Sequence, residues 1–165
     1  MTYTLISTIT VGAGGASTID FNSIPQTYTD LLLVYSLRDN RADYTSIVAL
    51  TINGVTTNRT WRNLTNGSGT VGTNSGSTYW IGSINGSSAT ASTFGNGQTY
   101  IASYTSSANK IMSSDTVTET NGSQSENYIF TNLWSQTSAI TSLSLACPLA
   151  TAFAQYSTAT LYGIN

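Results

Sequence analysis

The chain has 165 residues with five Lys and Arg, seven Asp and Glu and no His, so it is 7% charged with a formal net charge of −2, against about 25% charged for an ordinary soluble domain. Five basic side chains cannot supply the phosphate neutralisation of a nucleic-acid-binding surface, no apolar run approaches the roughly 20 residues of a membrane-spanning helix, and MTYTLISTIT has neither the basic n-region nor the cleavage site of a signal peptide. Without His the commonest general base and transition-metal ligand is missing, and Cys147 stands alone, so no disulfide, no cysteine-clustered metal site and no cofactor are expected, and the composition speaks against an enzyme.

Hydroxyls and amides replace the charges: 29 Thr, 24 Ser and 14 Asn. Residues 3–11 alternate, with Tyr3, Leu5, Ile9 and Val11 against Thr2, Thr4, Thr8 and Thr10, interrupted at Ile6 and Ser7; that is the period of a half-buried strand. Thr18–Asn22 is a short second strand, and Ile24-Pro25 marks a turn. The run Leu31–Leu37 is apolar on both faces, which predicts a strand covered on both sides or one whose second face meets another subunit; a buried helical turn is the alternative. The loop Arg38–Asp43 holds four of the twelve charges and reads as surface.

Ser46–Asn53 is a strand ended by the Asn53-Gly54 turn signal. In 58–64, Arg59, Trp61 and Asn63 alternate with Thr60, Arg62 and Leu64. Residues 65–99 read as a long polar Gly/Ser/Thr/Asn-rich insertion with apolar islands at Tyr79–Ile84 and Phe94. Strands at Tyr100–Tyr104, Tyr128–Trp134, Ile140–Ala146 and Thr158–Ile164 complete nine to ten. No segment carries a helical stripe. The expectation is one all-β domain over 1–165, an antiparallel β-sandwich of jelly-roll type.

Candidate chemistry is sparse. Cys147, before Pro148 and far from any cation, reads as a small buried hydrophobe. The carboxylate pairs a glycosidase would need are Asp39 with Asp43, and Asp115 with Glu119 or Glu126, all in polar settings. Asp39, Asn40 and Asp43 offer oxygens to Ca²⁺ but lack EF-hand spacing. Gly67-Ser68-Gly69 has no Lys after it and is no phosphate loop. Five N-x-Ser/Thr sequons, at Asn58, Asn63, Asn66, Asn85 and Asn121, are close to what this Ser and Thr content produces by chance. The aromatics Trp61, Tyr79 and Trp80 could stack on sugar rings, although core or interface packing is the more ordinary use of such rings.

The stretch Ile19-Asp20-Phe21-Asn22-Ser23-Ile24-Pro25-Gln26-Thr27-Tyr28-Thr29-Asp30-Leu31, running into an apolar strand and an Arg, resembles a group of small bacteriophage virion proteins. Ile52-Asn53-Gly54 and the closing Leu161-Tyr162-Gly163-Ile164 fit the same pattern. The resemblance covers residues 4–64 and 138–165; the middle, 65–127, matches nothing in it. It implies a non-enzymatic capsid decoration (cement) protein that is made in the host cytoplasm, sits on the outer capsid surface of the virion, and binds the major capsid protein and itself, as a homotrimer. Such a role involves no nucleic acid and no membrane. Self-association is expected through Leu31, Leu33, Tyr35, Trp134 and Tyr156, and capsid contact through Tyr3, Leu5, Arg38, Arg41, Arg59 and Arg62. The alternative is a receptor- or glycan-binding tail-fibre or lectin-like module using Trp61, Tyr79 and Trp80.

Overall fold

Period-two alternation and turn chemistry produce twelve strands: β1 (Tyr3–Thr10), β2 (Thr18–Phe21), β3 (Asp30–Leu37), β4 (Thr45–Ile52), β5 (Arg59–Gly67), β6 (Thr70–Gly76), β7 (Trp80–Asn85), β8 (Gly95–Ile101), β9 (Lys110–Glu119), β10 (Ser125–Trp134), β11 (Leu143–Ala146) and β12 (Thr158–Ile164). The structure, a computed structural model, describes residues 1–67, 70–121 and 124–165, and no helix occurs among them. The Gly67-Ser68-Gly69 stretch therefore lies partly outside the described residues. Ladders between these strands are antiparallel throughout. They build an eight-stranded sheet, β1-β12-β3-β8-β9-β10-β5-β6, and a four-stranded sheet, β2-β11-β4-β7.

The two sheets face one another as a sandwich around one apolar core. Strand β3 supplies Leu31, Leu33, Tyr35 and Leu37, and β12 supplies Ala159 and Leu161. The small sheet answers with Ile19 and Phe21 of β2, Val48, Leu50 and Ile52 of β4, Ile81 and Ile84 of β7, and Leu143 and Leu145 of β11. Burying an aliphatic side chain of this size contributes about 1.5–3 kcal/mol, so this cluster dominates the stability. The interruption at Ile6 and Ser7 is a register shift: Leu5 pairs with Tyr162 and Ser7 with Leu161, which leaves Ile6 as the extra residue. At Asn53 (φ 50°) and Gly54 (φ 71°) the chain makes the left-handed turn that Asn-Gly favours.

Without β5, β6, β9 and β10, eight strands remain, four in each sheet. Numbered among themselves in chain order, they run 1-8-3-6 in one sheet and 2-7-4-5 in the other. The omitted four form two hairpins inserted between β4 and β7 and between β8 and β11. They dock side by side and carry the large sheet past the edge of the small one as an overhang.

The 65–99 tract is not a loop, because β6, β7 and β8 lie within it. Its polarity has a packing cause. On the inner face β8 carries Gly97, where a Cβ would come within 2.6 Å of both Tyr35 and Thr116, and Gly95, where it would come within 2.8 Å of the Ile84 Cα. Backbone, rather than a large side chain, meets the opposing sheet here. Strand β9 was not expected at all. It buries Met112, Ser114, Thr116 and Thr118 and exposes Ile111, Asp115 and Val117, which inverts the usual pattern.

Candidate functional site

The overhang carries β5 and β6, at the end of the large sheet, beyond the four strands of the small one. Across the β5–β6 ladder, Thr65, Asn63 and Trp61 stand opposite Gly72, Asn74 and Gly76, so β6 brings almost no bulk and a cleft remains. The Trp61 ring lies against Gly76, where a Cβ would come within 2.8 Å of it. Its Nε1–H donates to Thr78 Oγ1 at 2.9 Å. Trp80, at the start of β7, stacks on Trp61 with centroids 5.7 Å apart and planes at 20°. Phe130 packs on Trp61 at 5.4 Å, and Tyr128 stacks on Phe130 at 5.5 Å. These four rings line a cleft of about 470 Å³ together with Ile47, Asn63, Asn74, Ser75, Gly76 and Thr78.

Polar groups edge the rings. Asn63 Oδ1 accepts the Asn74 backbone N–H at 2.9 Å. That fixes the Asn63 side chain by its oxygen and leaves its NH₂ as a donor. Glu126, next to Tyr128 on the same face of β10, accepts hydrogen bonds from Ser83 Oγ at 2.6 Å and Thr45 Oγ1 at 3.4 Å. Burial, and then the Glu126 charge, push the Tyr128 phenol above its ordinary value.

Of the three residues expected to meet a sugar, Trp61 and Trp80 belong to this cleft, and Tyr79 does not line it. Trp61 is pinned from several sides, whereas Trp80 is only partly buried. The sequence marks Asn63 only as a sequon and gives Asn74, Tyr128 and Phe130 no part in a site. The β5–β6 hairpin brings Asn74 opposite Asn63, and the topology that lays β10 beside β5 adds Tyr128 and Phe130.

The self-association set needs correction. Leu31, Leu33, Tyr35 and Trp134 are all at most 2% exposed, because they face the opposing sheet. The second face of β3 is Leu32, Val34 and Ser36, of which Val34 is exposed. Tyr156 is exposed and adopts φ 71°.

The cation set divides in the same way. Arg59 is buried and donates from Nη1 to the Leu50 carbonyl, while its Nε and Nη2 have no partner among the described residues; burial lowers its pKa to about 10. A residue so placed cannot reach a partner protein. Arg38 donates to the carbonyls of Thr90 (2.7 Å), Thr93 (3.0 Å), Ser87 (3.1 Å) and Ala89 (2.9 Å). It ties down the 87–93 segment instead of projecting outward. Arg41 bonds the Thr45 carbonyl and pairs with Asp43 at 3.0 Å, the one ion pair among the described residues. Arg62, Tyr3 and Leu5 are exposed.

The loop Arg38–Asp43 is thus a junction more than a free surface. Asp39 is buried, with Oδ1 accepting the Arg41 N–H at 3.0 Å, and burial pushes its carboxyl above the ordinary carboxylate value. The Cys147 thiol is raised further still, first by burial and then by the Asp39 carboxylate, so it stays protonated and inert. Asn40 is engaged with Thr151 and Ala152. No metal-holding group of three or more His, Cys, Asp or Glu occurs among the described residues.

The remaining candidate carboxylates divide between the faces of the large sheet, Asp115 and Glu119 outside and Glu126 inside. Asp115 lies on the outer face bonded to Gln98, Glu119 accepts the Asn121 N–H, and Glu126 faces inward. Asn85 is fully buried, as Asn63 nearly is, which removes both as glycosylation acceptors in the folded chain. No helix among the described residues is long and apolar enough to cross a membrane.

The residues that carry the resemblance act as ties between segments. Gln26 donates to the Ile24 and Ile140 carbonyls. Asp30 accepts from Tyr100 Oη (2.5 Å) and from the Ser103 N–H (2.7 Å). Asn53 bonds the Ala139 carbonyl and the Thr141 and Ser142 amides. Comparison with protein-family models, with curated proteins and with solved structures finds no match.

Proposed function

We propose that the chain is a non-enzymatic structural protein of a bacteriophage particle: a jelly-roll decoration (cement) protein on the outer capsid surface that binds the major capsid protein and associates with copies of itself. The observation that carries this reading is the inverted amphipathicity of the overhang. Its inner face is polar and aromatic, while its outer face presents Leu64, Val71, Ile111, Val117 and Ile129, all 47–68% exposed. Ile129 and Leu64 are paired across the ladder, and Val71 and Leu64 share a small apolar hollow with Ile129.

Contiguous exposed apolar surface of this kind marks an interaction site. Asp115, across the ladder from Ile129, lies with Glu119 and Arg62 on the same outer face, so that face offers charges of both signs to a symmetric copy, and closed symmetry is the default for such contacts. At the far edge of the sheet, β1 exposes Tyr3 and Leu5 and pairs on one side only, which suits strand addition by a capsid protein. The order 1-8-3-6 with 2-7-4-5 fits two interleaved Greek keys, an architecture that recurs in viral capsid and lectin domains. With so few charges, little of the contact energy is screened by salt.

The test is to mix the full chain with phage heads stripped of decoration and to sediment it alone. Expected are a trimer, binding to heads that is little changed between low and high salt, loss of the trimer in Ile129→Lys, and loss of head binding in Leu5→Asp. A wild-type monomer, or a trimer that ignores the heads at any salt, overturns the proposal.

A further inference from the structure

We infer that the overhang cleft is a binding site for a neutral saccharide, with a pyranose ring packed on Trp80 and the hydroxyls at its rim held by Asn63 and Asn74. The site stands on its own geometry and does not depend on the virion role.

The cleft is concave and mainly aromatic with a few converging polar groups, which is the general description of a small-molecule site; its 470 Å³ volume falls within the usual ~300–1,000 Å³ range. Two features narrow the occupant. The aromatic lining is continuous, Trp80 on Trp61 on Phe130 on Tyr128, and so favours a ligand with a flat apolar face. Beside it stand two amides that offer both donor and acceptor atoms: Asn63, whose oxygen is already engaged by β6, and Asn74, for which no protein hydrogen bond occurs through its side chain among the described residues. A sugar ring has such a pair of surfaces, a face of C–H groups and a rim of hydroxyls that both donate and accept.

Charge selects within that class. No lining residue of the cleft is charged among the described residues; on the same inner face Glu126 stands two residues from Tyr128, and Arg59, buried and bonded to the Leu50 carbonyl, stands two residues from Trp61. An acidic sugar would find no cation on the lining to pair with, because Arg59 is buried against the Leu50 carbonyl and does not reach the cleft, so a neutral hexose or N-acetylhexosamine is the fitting ligand. Preorganisation adds to this. Trp61 is held by Gly76, by Trp80 and by its bond to Thr78, so its rotamer is fixed before a ligand arrives, and little ordering entropy remains to oppose binding.

The experiment applies the full chain to an array of neutral and sialylated oligosaccharides, followed by tryptophan-fluorescence titration of the best neutral glycan. Expected are binding to one or more neutral glycans and none to their sialylated forms. Trp80→Ala and Asn74→Ala should each weaken binding at least tenfold, Trp80→Phe should retain most of it, and Asp20→Asn, exposed on β2 of the small sheet, should leave it unchanged. Asn74 lies on the edge strand β6, so its variant tests the site even if Trp80→Ala unfolds. Absence of any neutral glycan on the array, preference for acidic glycans, or equal affinity in wild type and Asn74→Ala overturns the inference.

Discussion

The Tyr28 ring packs directly on Gly163, so closely that a Cβ at residue 163 would overlap the ring. Next to it, the Thr29 N–H donates to the Ile164 carbonyl at 2.9 Å. Two segments more than 130 residues apart are thereby locked together, and they are the two halves of the motif on which the resemblance to virion proteins rests.

Gly163→Ala should therefore be destabilising although both residues are small. Overpacking costs about 1–3 kcal/mol, which for a chain of this length corresponds to a fall in Tm of roughly 3–10 °C. Gly12→Ala, where nothing lies within 4 Å, is the control and should leave Tm unchanged. Equal melting of the two variants would show that the Tyr28 ring moves aside freely.

Arg38→Ala should release one particular segment. Hydrogen bonds to a charged group contribute about 1.5–3 kcal/mol each when buried, but this guanidinium is partly exposed and the four carbonyls retain access to water, so a total loss of about 3 kcal/mol is expected. The sharper signature is local: amide exchange should accelerate in residues 87–93 ahead of β3. Arg38→Lys keeps the charge without the planar fork and should fall between wild type and Ala. Uniform acceleration over the whole chain would argue against the tether.

Asp39 makes stability depend on pH with a definite sign. Its folded-state value is raised by burial above the ordinary 3.8, so between those two values the folded chain holds a proton that the unfolded chain has released. Stability contributed by the protonated group is complete below the ordinary value and is lost as pH rises through the raised one. The difference in denaturant midpoint between Asp39→Asn and wild type should therefore grow in favour of the variant from pH 4 to pH 7. Parallel curves would mean that the carboxyl is solvated.

Cys147 should not react with a thiol reagent such as DTNB in the native chain at pH 8 and should release one equivalent in denaturant. Burial and the neighbouring Asp39 carboxylate both hold it as the thiol, and only the thiolate attacks. Rapid labelling of the native chain would contradict the packing at the Arg38–Asp43 junction.

Much of the sandwich is legible in the sequence because its physical signals are local. Strand β1 shows its bulge as a break in alternation at Ile6 and Ser7, β12 shows its inner face as Ala159 and Leu161 against Thr158, Thr160 and Tyr162, and β3 shows itself by its apolar run. Strand β9 was illegible because its inner positions are Ser114, Thr116 and Thr118, packed under the glycines of β7 and β8, so the apolar residues that normally mark the core face lie outside. Arg59 misled for the opposite reason: its alternation with Trp61 and Asn63 was visible, but a cation on the buried side of a strand runs against the usual distribution. The cleft was half legible. Its tryptophans stand out in the sequence, whereas Phe130 and Tyr128 join them only through a pairing of β5 with β10 that no local pattern encodes, and Asn74 through a β5–β6 hairpin in a tract that reads as a polar loop.

The place of β12 between β1 and β3 has a kinetic consequence. Residues 158–164 must travel back to residues 3–10 before either neighbour is paired on that side, so the chain closes its largest loop to complete the ladder at one edge of the large sheet. Loop closure of that span precedes any reward from the contacts it brings, and chains dominated by such distant pairings fold on the millisecond-to-second scale or more slowly. Until that strand slots in, β1 and β3 present unpaired edges to every other nascent copy. The order in which the chain zips, rather than its final stability, then sets how much of it escapes aggregation.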